Sequence, residues 1–138
     1  MNTTELFEQL EELFQQFQFH PKCIKELRNL FQKDLSGKEK QFFKSLSTQL
    51  NYIKEFGTSI DQVGANEKLK GFNQDFYSIH IKGKQYNIRL LMAFDQNKIP
   101  AFLCIFNEKN GKRATDYSKY TEVIESRFVE IIGGKDNE

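Results

Sequence analysis

Proline and glycine are scarce, with two and eight in 138 residues. Together with the charged fraction and the many phenylalanines, this excludes a disordered segment and favours a globular one. Cysteine is nearly absent: Cys23 and Cys104 stand far apart, without CxxC or Cys/His spacing. That points to a reduced, intracellular protein rather than a disulfide framework. No apolar run approaches the roughly 18 residues of a membrane span, and Leu90–Phe94 and Ile99–Phe106 are strand-sized. The N-terminus has no basic region followed by a small-residue cleavage site, so a signal peptide is not expected. Triads, paired acids, metal-ligand spacings and glycine-rich phosphate loops are also missing, which implies neither metal nor cofactor.

The length suits one domain with a real core. Net charge is only +1, but it is unevenly spread. Residues 1–35 carry 4 basic and 6 acidic groups, residues 36–119 carry 14 and 8, and residues 120–138 carry 2 and 5. The middle is the candidate polyanion-binding part, between two acidic helical ends.

Helical spacing appears first. Thr3 or Thr4 can cap a helix with Leu6, Leu10, Leu13 and Phe17 in one stripe and Phe7 and Phe14 alongside. Pro21 suits the first turn of a second, with Ile24, Leu27, Leu30 and Phe31 facing inward. The pair reads as a helical hairpin hinged at Phe19–His20, with His20 serving local structure. Ser36-Gly-Lys-Glu39 reads as a capping box opening a third helix through Phe42, Phe43, Leu46, Leu50 and Ile53, closed by Gly57. Segment 58–73 is expected as a loop with one short helical turn. Asp116 or Ser118 can cap a last helix with Tyr117, Tyr120, Ile124, Phe128 and Ile131 as its stripe, before a fraying tail at 133–138.

Between these helices lie three strands. A two-residue turn at Gly83-Lys84 would set Ile81 opposite Tyr86, His80 opposite Asn87, Ile79 opposite Ile88 and Ser78 opposite Arg89. All apolar pairs then share one face and all polar pairs the other. The core face continues through Leu90, Met92 and Phe94, joined by Ile99, Ala101, Leu103 and Ile105 of the third strand. Phe102, Cys104 and Phe106 are expected on the Arg89 side. The fold class is therefore α+β: N-terminal helices packed on a small twisted antiparallel sheet, with a C-terminal helix.

Arg89 is the leading functional candidate, because a guanidinium stays charged and its fork of donors matches phosphate oxygens. Its structural alternative is a pair with an acid such as Glu125. His80 can serve as general acid or base, though a lone strand histidine is more often a hydrogen-bonded structural residue. Lys68, Lys70, Lys82, Lys84, Lys109, Lys112 and Arg113 bracket the sheet at loop positions, where phosphate contacts commonly sit. Each lysine singly also protects a sheet edge. Phe102 and Phe106 could stack bases if exposed, and a helix over that face would bury them.

From Lys68 onward the chain resembles the RelE/HigB superfamily of type II toxins, in particular its phage-derived Gp49-like branch. The resemblance lies in Lys68-Leu-Lys-Gly71, Phe76-Tyr-Ser-Ile-His80, Tyr86-Asn-Ile-Arg-Leu-Leu91, Phe102–Phe106 leading to Asn107-Glu-Lys109, and Asp116-Tyr117 opening a helix to Arg127. It divides the chain into an N-terminal helical hairpin extension (1–35), a toxin-like domain (36–132) and a flexible tail (133–138). The resemblance implies a cytoplasmic, metal-independent endoribonuclease that cuts mRNA on the ribosome by attack of the ribose 2′-OH. Its expected partner is a cognate helix-turn-helix antitoxin, with no membrane involved. Arg89 matches the family's strand arginine and Lys109 one lysine of its loop, while Glu108 replaces the other. His80 falls where many members carry arginine, and Tyr117 matches the C-terminal aromatic acid or base. Lys68, Lys70, Lys82, Lys84, Lys112 and Arg113 would contact RNA. The alternative is a non-catalytic binding protein on the same fold, a gyrase inhibitor or a mobile-element regulator.

Overall fold

A computed structural model describes residues 3–15, 17–72, 74–108 and 117–136. Its first helix, α1 (Thr3–Phe14), begins at Thr3, so both threonines expected as caps lie within its first turn. Leu6 and Leu10 are fully buried, as their spacing requires; the side chains of Leu13 and Phe14 lie outside the described part. Phe17 is buried too, but from beyond the helix.

The expected helical hairpin is interrupted. Gln18–Phe19 form a two-residue strand, β1, that pairs in parallel with a strand from the far end of the chain: Gln18 with Ala101 and Phe19 with Phe102. The His20 amide extends this pairing by donating to the Phe102 carbonyl at 2.9 Å. His20 then caps α2 (Pro21–Gln32), its Nδ1 accepting from the Lys22 amide at 3.1 Å, with Pro21 in the first turn, where its missing N–H is not needed. Cys23, Leu27 and Phe31 form the buried stripe of α2.

Helix α3 (Glu39–Phe56) buries Phe42, Leu46, Leu50 and Ile53, one residue per turn. Its capping box does not close. Lys38 occupies the cap position without a side-chain capping bond, and Glu39 accepts instead from the Gly37 amide at 3.0 Å. Gly57, at φ 54°, ends the helix and donates its amide to Ile53. A 3-10 turn (Gly57–Gln62) follows, then β2 (Glu67–Leu69), a strand where a loop was expected.

Strands β3 (Phe76–Lys82), β4 (Asn87–Phe94) and β5 (Pro100–Asn107) form the antiparallel centre of a five-stranded sheet ordered β1-β5-β4-β3-β2. The fold class is α+β as expected, with a mixed sheet because of the parallel β1–β5 pair. In the β3–β4 hairpin Lys82 pairs with Asn87, Ile81 with Ile88 and His80 with Arg89. The register is displaced by two residues from the expected one, and the loop is Gly83–Tyr86. Tyr86 drives the difference, since its ring folds into the turn and meets Phe42 in the core at 6.0 Å. A Cβ at Gly83 would stand 2.2 Å from that ring, so only glycine fits there. A slip of two leaves every side chain on its own face, so the expected separation of apolar and polar residues holds on this hairpin.

On β5 it does not hold. A bulge lies where Leu91 pairs with Cys104 and Met92 with Phe102, leaving Leu103 without a partner. Parity reverses across it. Phe102 turns into the core formed with α1–α3, against Phe17 and Phe19, while Ala101 and Leu103 turn to the opposite face. Ile99, expected in the core, is exposed.

The molecule thus has three layers: α1–α3 on one face of the sheet, and on the other a 3-10 turn (Tyr117–Tyr120) followed by α4 (Thr121–Asp136). Ser118 lies in that turn, Asp116 is outside the described residues, and α4 continues past Gly133, where a tail was expected. Core residues from positions 6 to 35 share one cluster with Ile79, Leu90 and Ile105 of the sheet, so the N-terminal segment completes the main core. Beyond β1, the edge of β5 is closed by side chains. Arg127 of α4 donates to the Leu103 carbonyl at 2.7 Å and to both oxygens of Glu26 at 2.8 and 3.0 Å, and Glu26 accepts from the Ile105 amide at 3.3 Å. Cys23 and Cys104 are buried with thiol pKa values pushed up by burial, Cys104 to about 12. No helix among the described residues is long and apolar enough to cross a membrane.

Candidate functional site

The polar residues of the hairpin lie on the sheet face shared with α4, toward the β2 edge and beyond the end of the apolar layer. Strand alternation puts Ser78 and His80 of β3 and Asn87 and Arg89 of β4 there together. Arg89 is 9% exposed. Its Nε donates to Glu108 Oε1 at 3.1 Å, and its Nη1 to the Ala65 carbonyl at 2.9 Å. Asn87 Nδ2 donates to the other Glu108 oxygen at 2.7 Å, and Asn87 Oδ1 accepts from His80 Nε2. His80, Asn87, Glu108 and Arg89 therefore form one chain of hydrogen bonds. The His80 backbone amide is held by Asn66 Oδ1 at 2.7 Å. Because Nε2 is the donor, the lone pair of a neutral His80 ring lies on Nδ1.

Tyr117 is the fourth expected member, and its hydroxyl joins Glu67 Oε2 at 2.6 Å and Ser78 Oγ at 2.8 Å. Burial first, and then the hydrogen bond to Glu67, push its phenol up to about 12, against the opposing influence of Ser78 and Arg89. It is a proton-bearing group at neutral pH. Beside it a cleft of about 730 Å³ is lined by Asp61, Glu67, Lys68, Leu69, Lys70 and Tyr117.

The expected cations divide. Lys68 and Lys70 line this cleft, Lys68 paired with Asp75 at 3.4 Å. Lys82 and Lys84 are exposed at the tip of the hairpin. Lys109, Lys112 and Arg113 lie outside the described residues. Phe102, a candidate base-stacking ring, is buried in the helical core. Phe106 does lie on the Arg89 side, where it stacks on Tyr120 at 4.2 Å.

Comparison with family models, curated proteins and solved structures finds no match to this chain. The chemistry must be read from the residues themselves. Among the described residues no three His, Cys, Asp or Glu side chains are placed to hold a metal ion.

Glu108, Glu67 and Asn66 belong to the site; the sequence marked Glu108 only as the replacement of a loop lysine, and the other two not at all. Glu108 had a signal: it follows Phe106 by two residues, so it shares the Arg89 face. The acid expected opposite Arg89, Glu125, is exposed on α4 instead. Glu67 and Asn66 had none, because β2 was not recognisable as a strand.

Proposed function

We propose that this protein is a growth-arresting toxin of the RelE/HigB kind, an endoribonuclease acting on mRNA at the ribosome. The supporting observation is that Arg89 and His80 belong to one hydrogen-bonded cluster on the sheet face where Tyr117 bonds Ser78, and that Tyr117 in turn lines an open cleft. In the proposed reaction the ribose 2′-oxygen bonds to the adjacent phosphorus and the bond to the 5′-oxygen breaks. The products are a 2′,3′-cyclic phosphate and a 5′-hydroxyl. His80 Nδ1 takes the 2′ proton, Arg89 stabilises the charge that grows on the phosphate oxygens, and Tyr117 gives its proton to the departing oxygen. Lys68, Lys70, Lys82 and Lys84 contact the RNA backbone. In this reading the protein is cytoplasmic and held inactive by a helix-turn-helix antitoxin.

Primer extension across cellular mRNAs after induction tests the proposal. Wild type should produce new 5′ ends, and Arg89→Ala should abolish both these ends and the growth arrest. The Arg89–Glu108 pair favours a second reading, in which the same surface binds a protein target such as gyrase, or regulates a mobile element, without catalysis. Growth arrest with intact mRNA would decide for that alternative.

A further inference from the structure

We infer that Asn87 and Arg89 form an oxyanion site which the chain fills with its own Glu108 carboxylate, and that an RNA phosphate enters by displacing Glu108. The inference rests on Arg89 being the phosphate-contacting group proposed above, and goes beyond it by naming what holds the site closed.

Both oxygens of Glu108 are held by side-chain donors, one from Arg89 and one from Asn87. Two donors gripping two oxygens of one anion is the arrangement that also suits a phosphate. The donors are aimed independently of Glu108. Arg89 is anchored through Nη1 to Ala65; Asn87 is anchored through its side-chain oxygen to His80, and its backbone amide donates to Asn107 Oδ1 at 2.9 Å. Removing the carboxylate would leave them in place, facing an empty position of the right polarity. Glu108 itself follows the last residue of β5, and its single described backbone bond is to the Asn87 carbonyl at 2.7 Å. Its side-chain torsions alone can turn the carboxylate out of the site. While it is in, an arriving phosphate meets a like charge in a partly dry pocket, where repulsion is poorly screened.

The test uses the full chain with inorganic phosphate and a short single-stranded RNA as probes. The Arg89 Nε–H signal is followed by NMR during phosphate titration, and RNA binding by fluorescence anisotropy. Glu108→Gln keeps the shape of the side chain but removes the charge and one acceptor. It should bind phosphate at least tenfold more tightly than wild type, with the shift seen at Arg89, and RNA should follow. Adding Arg89→Met should cancel the gain. Glu108→Ala, which also vacates the space, should show the same gain and serves if the glutamine variant fails to fold. Equal phosphate affinity in wild type and both variants, or a gain that survives loss of Arg89, overturns the inference even if wild type cleaves RNA. A phosphate gain without an RNA gain upholds the anion site and rejects RNA as its ligand.

Discussion

Arg127 and Arg89 each face one glutamate with little exposure to water, and the two pairs are built for different ends. Arg127 grips both oxygens of Glu26 with one guanidinium, and the pair also holds the backbone of β5 at Leu103 and Ile105. It takes the place of a neighbouring strand where β1 stops. Arg89 gives Glu108 a single hydrogen bond and shares that carboxylate with Asn87. Its other described partner is the carbonyl of Ala65, an exposed residue in a loop. One ion pair completes a sheet; the other links the side chains of a polar cluster and reaches a loop carbonyl. The two guanidinium groups are similarly buried, so burial says little about purpose, and the groups around each pair say more.

The largest expected effect on stability comes from Arg127→Ala. It leaves Glu26 unpaired and the carbonyl of buried Leu103 without its donor. With the Glu26 side chain 31% exposed, the cost should be about 2 kcal/mol, below that of a fully buried pair, read from the urea midpoint. Arg89→Ala should cost less, about 1 kcal/mol, because water can satisfy Ala65 and Glu108 can turn outward. Its effect on growth arrest should nevertheless be complete. Equal stability losses, with arrest surviving in the Arg89 variant, would erase the distinction between the pairs.

Titration sharpens the same contrast on the site side. The folded state holds the Tyr117 proton more tightly than the unfolded chain, so stability should fall as pH rises from the ordinary value of 10 toward about 12. Tyr117→Phe should flatten that fall in the urea midpoint. The smallest expected effect belongs to Glu130, whose carboxyl is lowered chiefly by its hydrogen bond to His20, 2.5 Å away. Its contribution is present above the ordinary value of 4.5 and disappears as pH drops through the lower folded value. Glu130→Gln should remove this part of the acid limb and leave the alkaline one untouched.

Much of this architecture was legible from residue spacing. Leu46, Leu50 and Ile53 announce α3, and the alternation of Ile79, Ile81, Ile88 and Leu90 separates the faces of the hairpin. The misses share one cause. Gln18–Phe19 and Glu67–Leu69 are too short to carry a period, and become strands only because β5 and β3 present open edges to them. The bulge at Leu103 is equally silent, since Phe102 and Leu103 are apolar enough for either face. Tyr86 looked like a strand residue until the core claimed its ring. At the site, the shared face of Ser78, His80, Asn87 and Arg89 followed from alternation, because a slip of two preserves parity. Glu108 was missed because the resemblance drew attention to the lysine it replaces rather than to the charge it brings.

The parallel pairing of Phe19 with Phe102 also constrains the order of folding. During synthesis β1 leaves the ribosome long before its only described strand partner exists, and α2, α3 and β2–β4 must all be made before the two meet. Helices α1 and α2 form from local contacts, but the core they share with Phe102 and Ile105 waits for β5. Closing so long a loop is entropically slow. The apolar stripes of Leu6, Leu10, Leu27 and Phe31 are therefore the surfaces that the nascent chain exposes longest.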